Sequence, residues 1–426
     1  MTKVSFPYGK EYIDYDFSNE NFQGTLVSRL LSYKPEKSAR ELVLDAMASP
    51  IGSKRLCELA KGKNKIVIIA SDHTRPVPSK IIIPPMLEEI RSANPNADIT
   101  FLIATGCHRD TKREELVDKF GEDIVNNERI VVHDCADKAN LVKIGILPSG
   151  GELYINRLAY EADLLISEGF IEPHFFAGFS GGRKSLLPGV AARETVLANH
   201  CSEFIAHPLA RTGILEGNPI HEDMLWAAKE AKLAYIVNVV INEKKEAIYA
   251  VAGDVEQAHL AGCKFLSSQC KAKPIMSDIA ISTNGGYPLD QNIYQAVKGM
   301  TAAEATVNEG GVIIMLAKSS DGHGGEGFYR QLADEPDIDK TMKIFLDRGR
   351  NETVPDQWQT QIFLRILKRA TVIYISDAPD NVVRDLHMIP AKTIDEALII
   401  SKKILNKETP SVVAIPDGVA VMVVDN

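Results

Sequence analysis

One stretch of the chain, residues 168–200, collects side chains that a hydrophobic core does not need. It contains His174, His200 and the glycine-rich sequence GFSGGRKS, which includes Arg183 and Lys184. The backbone N–H groups of such a turn at a helix start, together with the adjacent basic side chains, favour a bound phosphate. The spacing is not that of a Walker A motif, and a tight structural turn is the alternative interpretation.

Lys184 and His200 suggest further chemistry. For Lys184 three interpretations stay open: a phosphate anchor, a solvated surface lysine, or an amine that apolar neighbours desolvate into a nucleophile. A neutral imidazole at His200 could bind a transition metal. The chain has no HExxH motif and no His/Cys cluster at zinc spacing. One histidine holds a metal poorly, so if His200 is a ligand the other donors must come from something besides side chains, which points to an organometallic cofactor.

His108 and His174 are candidates for general acid and base catalysis. Both follow apolar runs, and imidazole titrates near neutral pH. Asp72 and Arg75 follow another such run. Packing or surface roles are the alternative for each histidine taken alone, whereas two histidines in one crevice favour the catalytic interpretation.

The apolar runs predict the elements that position these residues. Four runs are apolar on both faces: 65–70, 99–104, 129–133 and 163–166. They alternate with helix-like stretches, two short ones within 37–62 and one over 81–94, which is typical of a parallel α/β sheet. Ligands of open parallel sheets bind beyond the carboxyl ends of the strands. Five polar residues are therefore expected to share one crevice: Asp72, Arg75, His108, His174 and Lys184.

The same alternation restarts after a predicted boundary at 270–277. Further buried strands are expected at 278–283, 311–316, 371–376 and 412–415. The predicted fold class is α/β, with two α/β domains, largely parallel sheets and an active-site cleft between them. Residues 1–270 would form the first domain, which carries the cofactor-binding and histidine loops, and residues 271–426 the second, which supplies substrate-binding residues.

A helix is expected after Pro288, with Asp290 as its N-cap. Its spacing separates a polar face from an apolar one. The polar face consists of Gln291, Tyr294, Gln295 and Lys298. A solvated face is the alternative, but its place directly after a strand end favours a binding role.

Composition excludes several classes of protein. The 426 residues carry a formal charge of −9, which argues against a general nucleic-acid binder. No signal peptide and no apolar run long enough for a membrane span are present, so we expect a cytoplasmic protein. Six scattered cysteines without a CxxC pair indicate neither a disulfide framework nor a four-cysteine zinc site. Cys107 and Cys201, although they adjoin histidines, are interpreted as packing residues.

At these residues the sequence resembles the nickel-pincer lactate racemases. The matching motifs occur in order between about residues 70 and 300: SDHTRP at 71–76, TGCHRD at 105–110, EPHFFAGFSGGRKS at 172–185, NH at 199–200 and LDQNIYQAVKG at 289–299. The resemblance implies a pyridinium-3,5-bisthiocarboxylic acid mononucleotide that carries nickel and is bound covalently to Lys184. It implies His200 as the metal ligand and cofactor maturation enzymes as partners. The implied cofactor-binding residues are Lys184, Asp72, His73, Thr74, Arg75, Ser180, Gly181 and Gly182.

The resemblance also implies an activity, the interconversion of D- and L-lactate by hydride transfer through pyruvate. His108 and His174 would each serve one enantiomer as general base. The implied substrate-binding residues are Arg75, Gln295, Lys298, Tyr294 and Trp358. Two alternatives stay open: a racemase or epimerase of another 2-hydroxy acid, and a non-catalytic nucleotide- or metal-binding protein. A hydrolase is disfavoured, although GFSGG at residues 178–182 has the G-x-S-x-G form.

Overall fold

A computed structural model describes residues 2–242 and 244–424. Within them the strands are, in chain order, β1 (Lys3–Tyr8), β2 (Glu11–Asp16), β3 (Asn21–Thr25), β4 (Lys65–Ser71), β5 (Asp98–Ala104), β6 (Arg129–Val132), β7 (Leu141–Ile146), β8 (Glu152–Asn156), β9 (Leu164–Phe170), β10 (Pro173–His174), β11 (Gly178–Phe179), β12 (Leu233–Ile241), β13 (Ala247–Gly253), β14 (Lys271–Ala272), β15 (Ser277–Thr283), β16 (Val307–Leu316), β17 (Thr371–Ile375), β18 (Ile389–Ala391), β19 (Ser411–Ile415) and β20 (Met422–Val423).

The α-helices of the same residues are α1 (Ala39–Ala48), α2 (Leu56–Leu59), α3 (Ser79–Ala93), α4 (Arg113–Phe120), α5 (Glu122–Asn127), α6 (Arg157–Tyr160), α7 (Arg193–Asn199), α8 (Ser202–Ala206), α9 (Pro219–Glu230), α10 (Gln257–Cys270), α11 (Ile293–Glu304), α12 (Glu326–Ala333), α13 (Ile338–Asp347), α14 (Gln357–Arg369), α15 (Asp380–Asp385) and α16 (Ile394–Leu405). Short 3₁₀ turns lie at Phe17–Asn19, Arg29–Leu31, Lys138–Asn140, Gly182–Ser185 and Arg350–Glu352. No helix of these described residues is both long enough and apolar enough to cross a membrane.

The chain divides into two compact units. The N-unit comprises Leu30–His200 and His207–Ser268, and the C-unit comprises Met1–Arg29, Cys201–Ala206 and Gln269–Asn426. The change of unit at Gln269 lies close to the predicted boundary at 270. The first 29 residues and the segment that contains α8 group with the C-unit instead.

The N-unit is built on a six-stranded sheet in the order β13-β12-β9-β4-β5-β6. All neighbouring pairs are parallel except β12 with β13. From Ile66 to Ala70, β4 is buried on both faces. On one face, Ile66, Ile68 and Ala70 pack into a core to which α1 and α3 contribute residues such as Val43 and Ile82. Each such buried side chain contributes about 1.5–3 kcal/mol of burial free energy. The predicted strands of this half and the helices within 37–62 and over 81–94 are confirmed.

The C-unit contains a second six-stranded sheet, in the order β18-β17-β16-β15-β19-β3, with every pair parallel. Its edge strand β3 comes from the N-terminal segment and pairs with β19 through Phe22 and Val412. This pairing is the reason that the first residues belong to the C-unit. The predicted class, α/β with largely parallel sheets, is confirmed.

The segment Cys201–Ala206 is fixed to the C-unit by α14 and the turn before it. The Gln361 side chain donates to the Ser202 carbonyl at 2.9 Å, and the Arg350 guanidinium lies 4.4 Å from the centre of the Phe204 ring. The chain therefore changes unit directly after His200.

Candidate functional site

Three neighbouring strands of the N-unit sheet, β9, β4 and β5, end at the same edge. Asp72 follows β4, His108 follows β5, and His174 follows β9. The loops are tied together at this edge, because the Gly106 N–H donates to the Gly189 carbonyl at 2.9 Å and the Gly189 N–H donates to the Lys184 carbonyl at 3.2 Å. The structure thus brings these predicted residues to one edge of one unit.

Asp72 and His108 form a carboxylate–imidazole pair. Nδ1 of His108 lies 2.7 Å from Oδ2 of Asp72, and the other carboxylate oxygen accepts from the Thr74 hydroxyl at 2.7 Å. Burial acts to raise the pKa of Asp72, but the hydrogen bond and charge of His108, followed by Thr74 and Arg75, hold that pKa below its usual range. A carboxylate at Nδ1 fixes the proton on that nitrogen, so Nε2 is left as the basic atom.

The two residues that flank Thr74 have different surroundings. The His73 Nδ1 lies 3.0 Å from the Thr111 hydroxyl and 3.8 Å from the Glu115 carboxylate, so this ring is directed towards α4. Arg75 is exposed, and its carbonyl accepts from the Lys119 ammonium at 3.0 Å. The Arg75 guanidinium is therefore more accessible to an anionic ligand than the His73 ring is.

A second cluster surrounds the ring of Phe176. The Lys184 Nζ lies 3.4 Å from Nε2 of His174 and 5.7 Å from the centre of the Phe176 ring. The rings of His174 and His200 meet Phe176 edge-on, at centroid distances of 4.4 and 5.1 Å. The Ala177 N–H donates to Nδ1 of His174 at 3.2 Å and so orients Nε2 towards Lys184.

His200 is held neutral. It is 5% exposed, and burial, followed by the nearby Lys184 charge, lowers its pKa to about 3. A neutral imidazole is the form that binds a metal. Among the described residues, no group of three or more His, Cys, Asp or Glu side chains is placed to hold a metal ion.

The glycine-rich turn needs its glycines for close approach. At Gly178 and Gly181 φ is +78°, and a Cβ would lie 2.3 Å from the Ile214 carbonyl oxygen and 2.7 Å from that of Phe170, respectively. The Gly182 N–H donates to the Asn238 side chain at 2.7 Å. That N–H therefore stabilises the turn itself, as the Ser180 hydroxyl does by accepting from the Glu172 N–H at 3.0 Å.

The sequence position of Arg183 suggests that it adds charge to the outside of this turn, but the structure shows that it does not. It is completely buried and donates at 2.8 Å to the carbonyls of Phe179 and Ala177. Its Nη1 also lies 3.1 Å from Nε2 of His259. Arg183 is therefore a structural support of the segment that ends in Lys184, and the sequence gives no local signal for His259.

Glu168 is a second supporting residue that the sequence analysis missed. Its carboxylate is 2% exposed and accepts from the Ser71 N–H and hydroxyl, both at 2.9 Å, and from the Ser79 hydroxyl at 3.2 Å. It thus links β9 to the loop that carries Asp72 and Arg75. The signal available was a carboxylate inside an apolar strand.

Replacing His259 with glutamine is expected to weaken the loss of stability in acid. Burial, followed by the charges of Arg183 and His221, holds the pKa of His259 well below 6.5, and the Ser180 carbonyl opposes them only partly. Below about pH 6.5 the unfolded chain binds a proton at this residue, whereas the folded chain does not. The free energy of unfolding therefore falls by up to about 1.4 kcal/mol for each further pH unit. Urea unfolding at pH 7.5 and 5.5 measures this; equal pH dependence in parent and His259→Gln contradicts it.

In the C-unit the predicted substrate residues lie on α11 and α14. Tyr294, Gln295 and Lys298 are half-buried, whereas the opposite face of α11 is buried, as the spacing predicts. Burial raises the pKa of Tyr294, whose hydroxyl is hydrogen-bonded to Asp356 and Trp358. The Tyr294 phenol and the Trp358 indole are thus linked to each other.

The predicted N-cap of α11 is wrong. Asn292 caps the helix, because its side chain accepts from the Gln295 N–H at 2.9 Å. Asp290 instead accepts from the N–H groups of Gly9 at 2.6 Å and Lys318 at 3.2 Å. The chain between Asp290 and Asn292 does not continue the helix, so the cap moves by two residues.

The fold and these clusters define a class of protein: a two-unit α/β enzyme with one carboxylate-oriented histidine and a second histidine beside a lysine. The family described as lactate racemase N-terminal domain matches residues 8–213, and the lactate racemase C-terminal domain matches residues 272–423. The chain is 54% identical over 99% of both lengths to a lactate racemase of Thermoanaerobacterium thermosaccharolyticum. It is 55% identical to a lactate racemase of Lactiplantibacillus plantarum, over 99% of this chain and 100% of the relative.

Solved structures agree with these sequence matches. The lactate racemase apoprotein of Thermoanaerobacterium thermosaccharolyticum superposes with a TM-score of 0.96 at 54% identity, over 99% of this chain and 100% of that one. A Thermotoga maritima protein at 19% identity shares the fold, with a TM-score of 0.65 over 89% of this chain and 96% of that chain. The chain belongs to the lactate racemase family and is therefore an isomerase, as the sequence predicts.

Proposed function

We propose that this protein interconverts D- and L-lactate by removing and returning hydride at the α-carbon, through a pyruvate intermediate. The observation that carries the proposal is the grouping of His174, Lys184 and His200 around Phe176, at the sheet edge that also holds the Asp72–His108 pair. The names of the two full-length relatives support lactate as the substrate.

The residues present fit a nickel-pincer nucleotide. His200 supplies a buried neutral imidazole as one metal ligand, and the half-buried Lys184 supplies an amine for covalent attachment. The other metal donors would belong to the cofactor. When bound, this group supplies a hydride acceptor, which matters because the α-hydrogen of a hydroxy carboxylate is too weakly acidic for direct removal by histidine.

The chain's own residues would move the proton. Nε2 of His108 is the basic atom of a ring that Asp72 orients through Nδ1, so it can take the hydroxyl proton from one enantiomer. Asp72 then stabilises the imidazolium. Nε2 of His174 would take the hydroxyl proton of the other enantiomer, which requires the ring proton to move to Nδ1, the nitrogen that here accepts from the Ala177 N–H.

Anionic groups would be bound by the exposed loop after β4 and by the turn before Lys184. We propose Asp72, His73, Thr74 and Arg75, with Ser180, Gly181 and Gly182, as cofactor-binding residues. The Ser180 hydroxyl and Gly182 N–H already have protein partners. Thr74 and Arg75, which are both exposed, are therefore the better-placed phosphate contacts.

The lactate carboxylate and carbonyl oxygen would be bound by Arg75, Gln295 and Lys298, with Tyr294 and Trp358 as pocket walls. A guanidinium offers carboxylate a bidentate fork, and two aromatic walls favour a small substrate. Cofactor maturation enzymes as partners and a cytoplasmic location belong to the same proposal.

The test is a racemisation assay on protein matured in cells that make the cofactor. Enantiopure L-lactate and D-lactate should each approach the racemic mixture, and chiral chromatography measures both directions. Malate and 2-hydroxyglutarate should be poor substrates. Racemisation of one of these diacids in preference to lactate would overturn the substrate assignment.

Replacing His200 with alanine is expected to remove nickel while the covalent adduct at Lys184 persists. The imidazole is the one metal ligand that we assign to the protein, so nickel per chain should fall by at least roughly tenfold. Elemental analysis and intact mass of the same sample separate the two effects. The control is His207→Ala, a half-buried residue seven positions later, which should keep its nickel; full nickel occupancy in His200→Ala contradicts the assignment.

A further inference from the structure

Two cysteines lie beyond the ends of neighbouring strands in the N-unit. Cys107 follows β5 and Cys135 follows β6, and these strands pair in parallel through Ile103 and Val132. The loops are joined beyond the strands, because the Thr105 hydroxyl donates to the His133 carbonyl at 2.6 Å. The two cysteines are therefore held at equivalent places on adjoining loops.

The side chains of this pair influence each other. Each thiol is the first influence on the pKa of the other, and the Arg193 guanidinium is a further influence on the pKa of Cys135. Arg193 is fixed in turn, because its N–H donates to the Cys135 carbonyl at 3.0 Å. Cys107 is exposed as a whole residue, although its thiol is partly covered, and Cys135 is 4% exposed. The interpretation of Cys107 as a packing residue is wrong.

This mutual influence divides the charge unequally between the sulfurs. Cys107 and the Arg193 cation lower the pKa of Cys135, while Cys135 and burial raise the pKa of Cys107. The pair therefore tends to hold a single negative charge beside an arginine. A thiolate near a cation, with a thiol beside it, is the usual setting of an oxidisable dithiol.

We propose that Cys107 and Cys135 are a site of reversible oxidation, at which a peroxide converts two thiols into a disulfide. The thiolate attacks one peroxide oxygen and breaks the O–O bond, which gives a sulfenic acid and hydroxide. The second thiol then attacks the sulfenic sulfur, forms the S–S bond and displaces water after proton transfer. In sum, two thiols and hydrogen peroxide give one disulfide and two waters; both sulfurs are oxidised and the peroxide oxygens are reduced.

The other cysteines are poorer candidates. Burial raises the pKa of Cys263 and of Cys270 to about 12 each, so neither is a thiolate at neutral pH. Cys57 is half-buried at the start of α2, and Cys201 is buried. Oxidation should therefore be selective. The new bond would tie the backbone directly before His108 to the loop after β6, whatever reaction the enzyme performs.

The test is peroxide titration of the reduced, full-length protein, followed by denaturing alkylation, intact mass and peptide mapping. Near-stoichiometric hydrogen peroxide should remove two hydrogens, protect two thiols from alkylation and yield a cross-linked peptide containing Cys107 and Cys135. Dithiothreitol should reverse all three changes. Alkylation of all six cysteines after peroxide treatment, a different cross-link, or sulfinic acid without a disulfide would each overturn the proposal.

Variants sharpen the result. Cys107→Ser and Cys135→Ala should each abolish the cross-link, and Cys57→Ser, the matched control in the same unit, should keep it. Arg193→Met should slow cross-linking by up to roughly tenfold, since a change of one pKa unit alters the thiolate population by that factor. An unchanged rate in Arg193→Met would overturn the role of the arginine, and a lost cross-link in Cys57→Ser would overturn the pairing.

Discussion

Replacing Lys184 with alanine is expected to leave protein without covalent cofactor and to reduce racemisation to the uncatalysed level. The amine is half-buried beside Phe176, and its Nζ lies 3.4 Å from the imidazole of His174. No neighbouring side chain in the turn replaces it, because Arg183 is completely buried and occupied by backbone carbonyls. Intact mass under denaturing conditions should show the adduct in the parent and its absence in Lys184→Ala.

The controls separate covalent chemistry from charge. Lys184→Arg keeps a cation but provides no primary amine, so it should also lack the adduct. Lys80→Ala changes an exposed lysine on α3 of the same unit and should retain the adduct and full activity. An adduct of unchanged mass on Lys184→Ala would place the attachment elsewhere and remove the basis for our cofactor assignment.

The central strands of both sheets could be predicted because burial on both faces leaves a local record. The buried stretches of β4, β5 and β15 read IVIIA, ITFLI and IAIST, in which apolar residues predominate, as is typical of central parallel strands. Once these strands are predicted, the loops that follow them are placed at the carboxyl ends of the sheet. That is why Asp72 and His108 could be assigned to one sheet edge before any coordinates.

The edges of the sheets could not be predicted in the same way. β3 reads NFQGT and carries no apolar run, so only its pairing with β19, almost four hundred residues later, makes it a strand. That partner is invisible to local patterns. The N-terminal segment was consequently placed in the first predicted domain, whereas it groups with the C-unit.

Supporting residues of the site escaped prediction for a related reason. In sequence Arg183 looks like part of a basic phosphate-binding turn, yet in the fold it points into the protein and holds carbonyls against His259 of α10. Asn238 of β12 fixes the Gly182 N–H from more than fifty residues away. Motifs identify the side chains that carry chemistry, while the residues that hold those side chains in place depend on contacts between distant segments.

Removal of either proposed base is expected to slow racemisation in both directions by roughly 10²–10⁴-fold, because full interconversion uses both imidazoles. In a single turnover with matured enzyme and one enantiomer, His108→Ala and His174→Ala should each form pyruvate from only one enantiomer, and the two variants should choose opposite ones.

Asp72→Asn keeps the size of the residue but replaces the carboxylate that accepts from Nδ1 of His108 at 2.7 Å. It should therefore slow the half-reaction lost in His108→Ala and spare the other, while His207→Ala should affect neither. If both variants oxidise the same enantiomer, the assignment of one base to each enantiomer is wrong; if Asp72→Asn slows both half-reactions equally, its effect lies in cofactor binding and not in the orientation of His108.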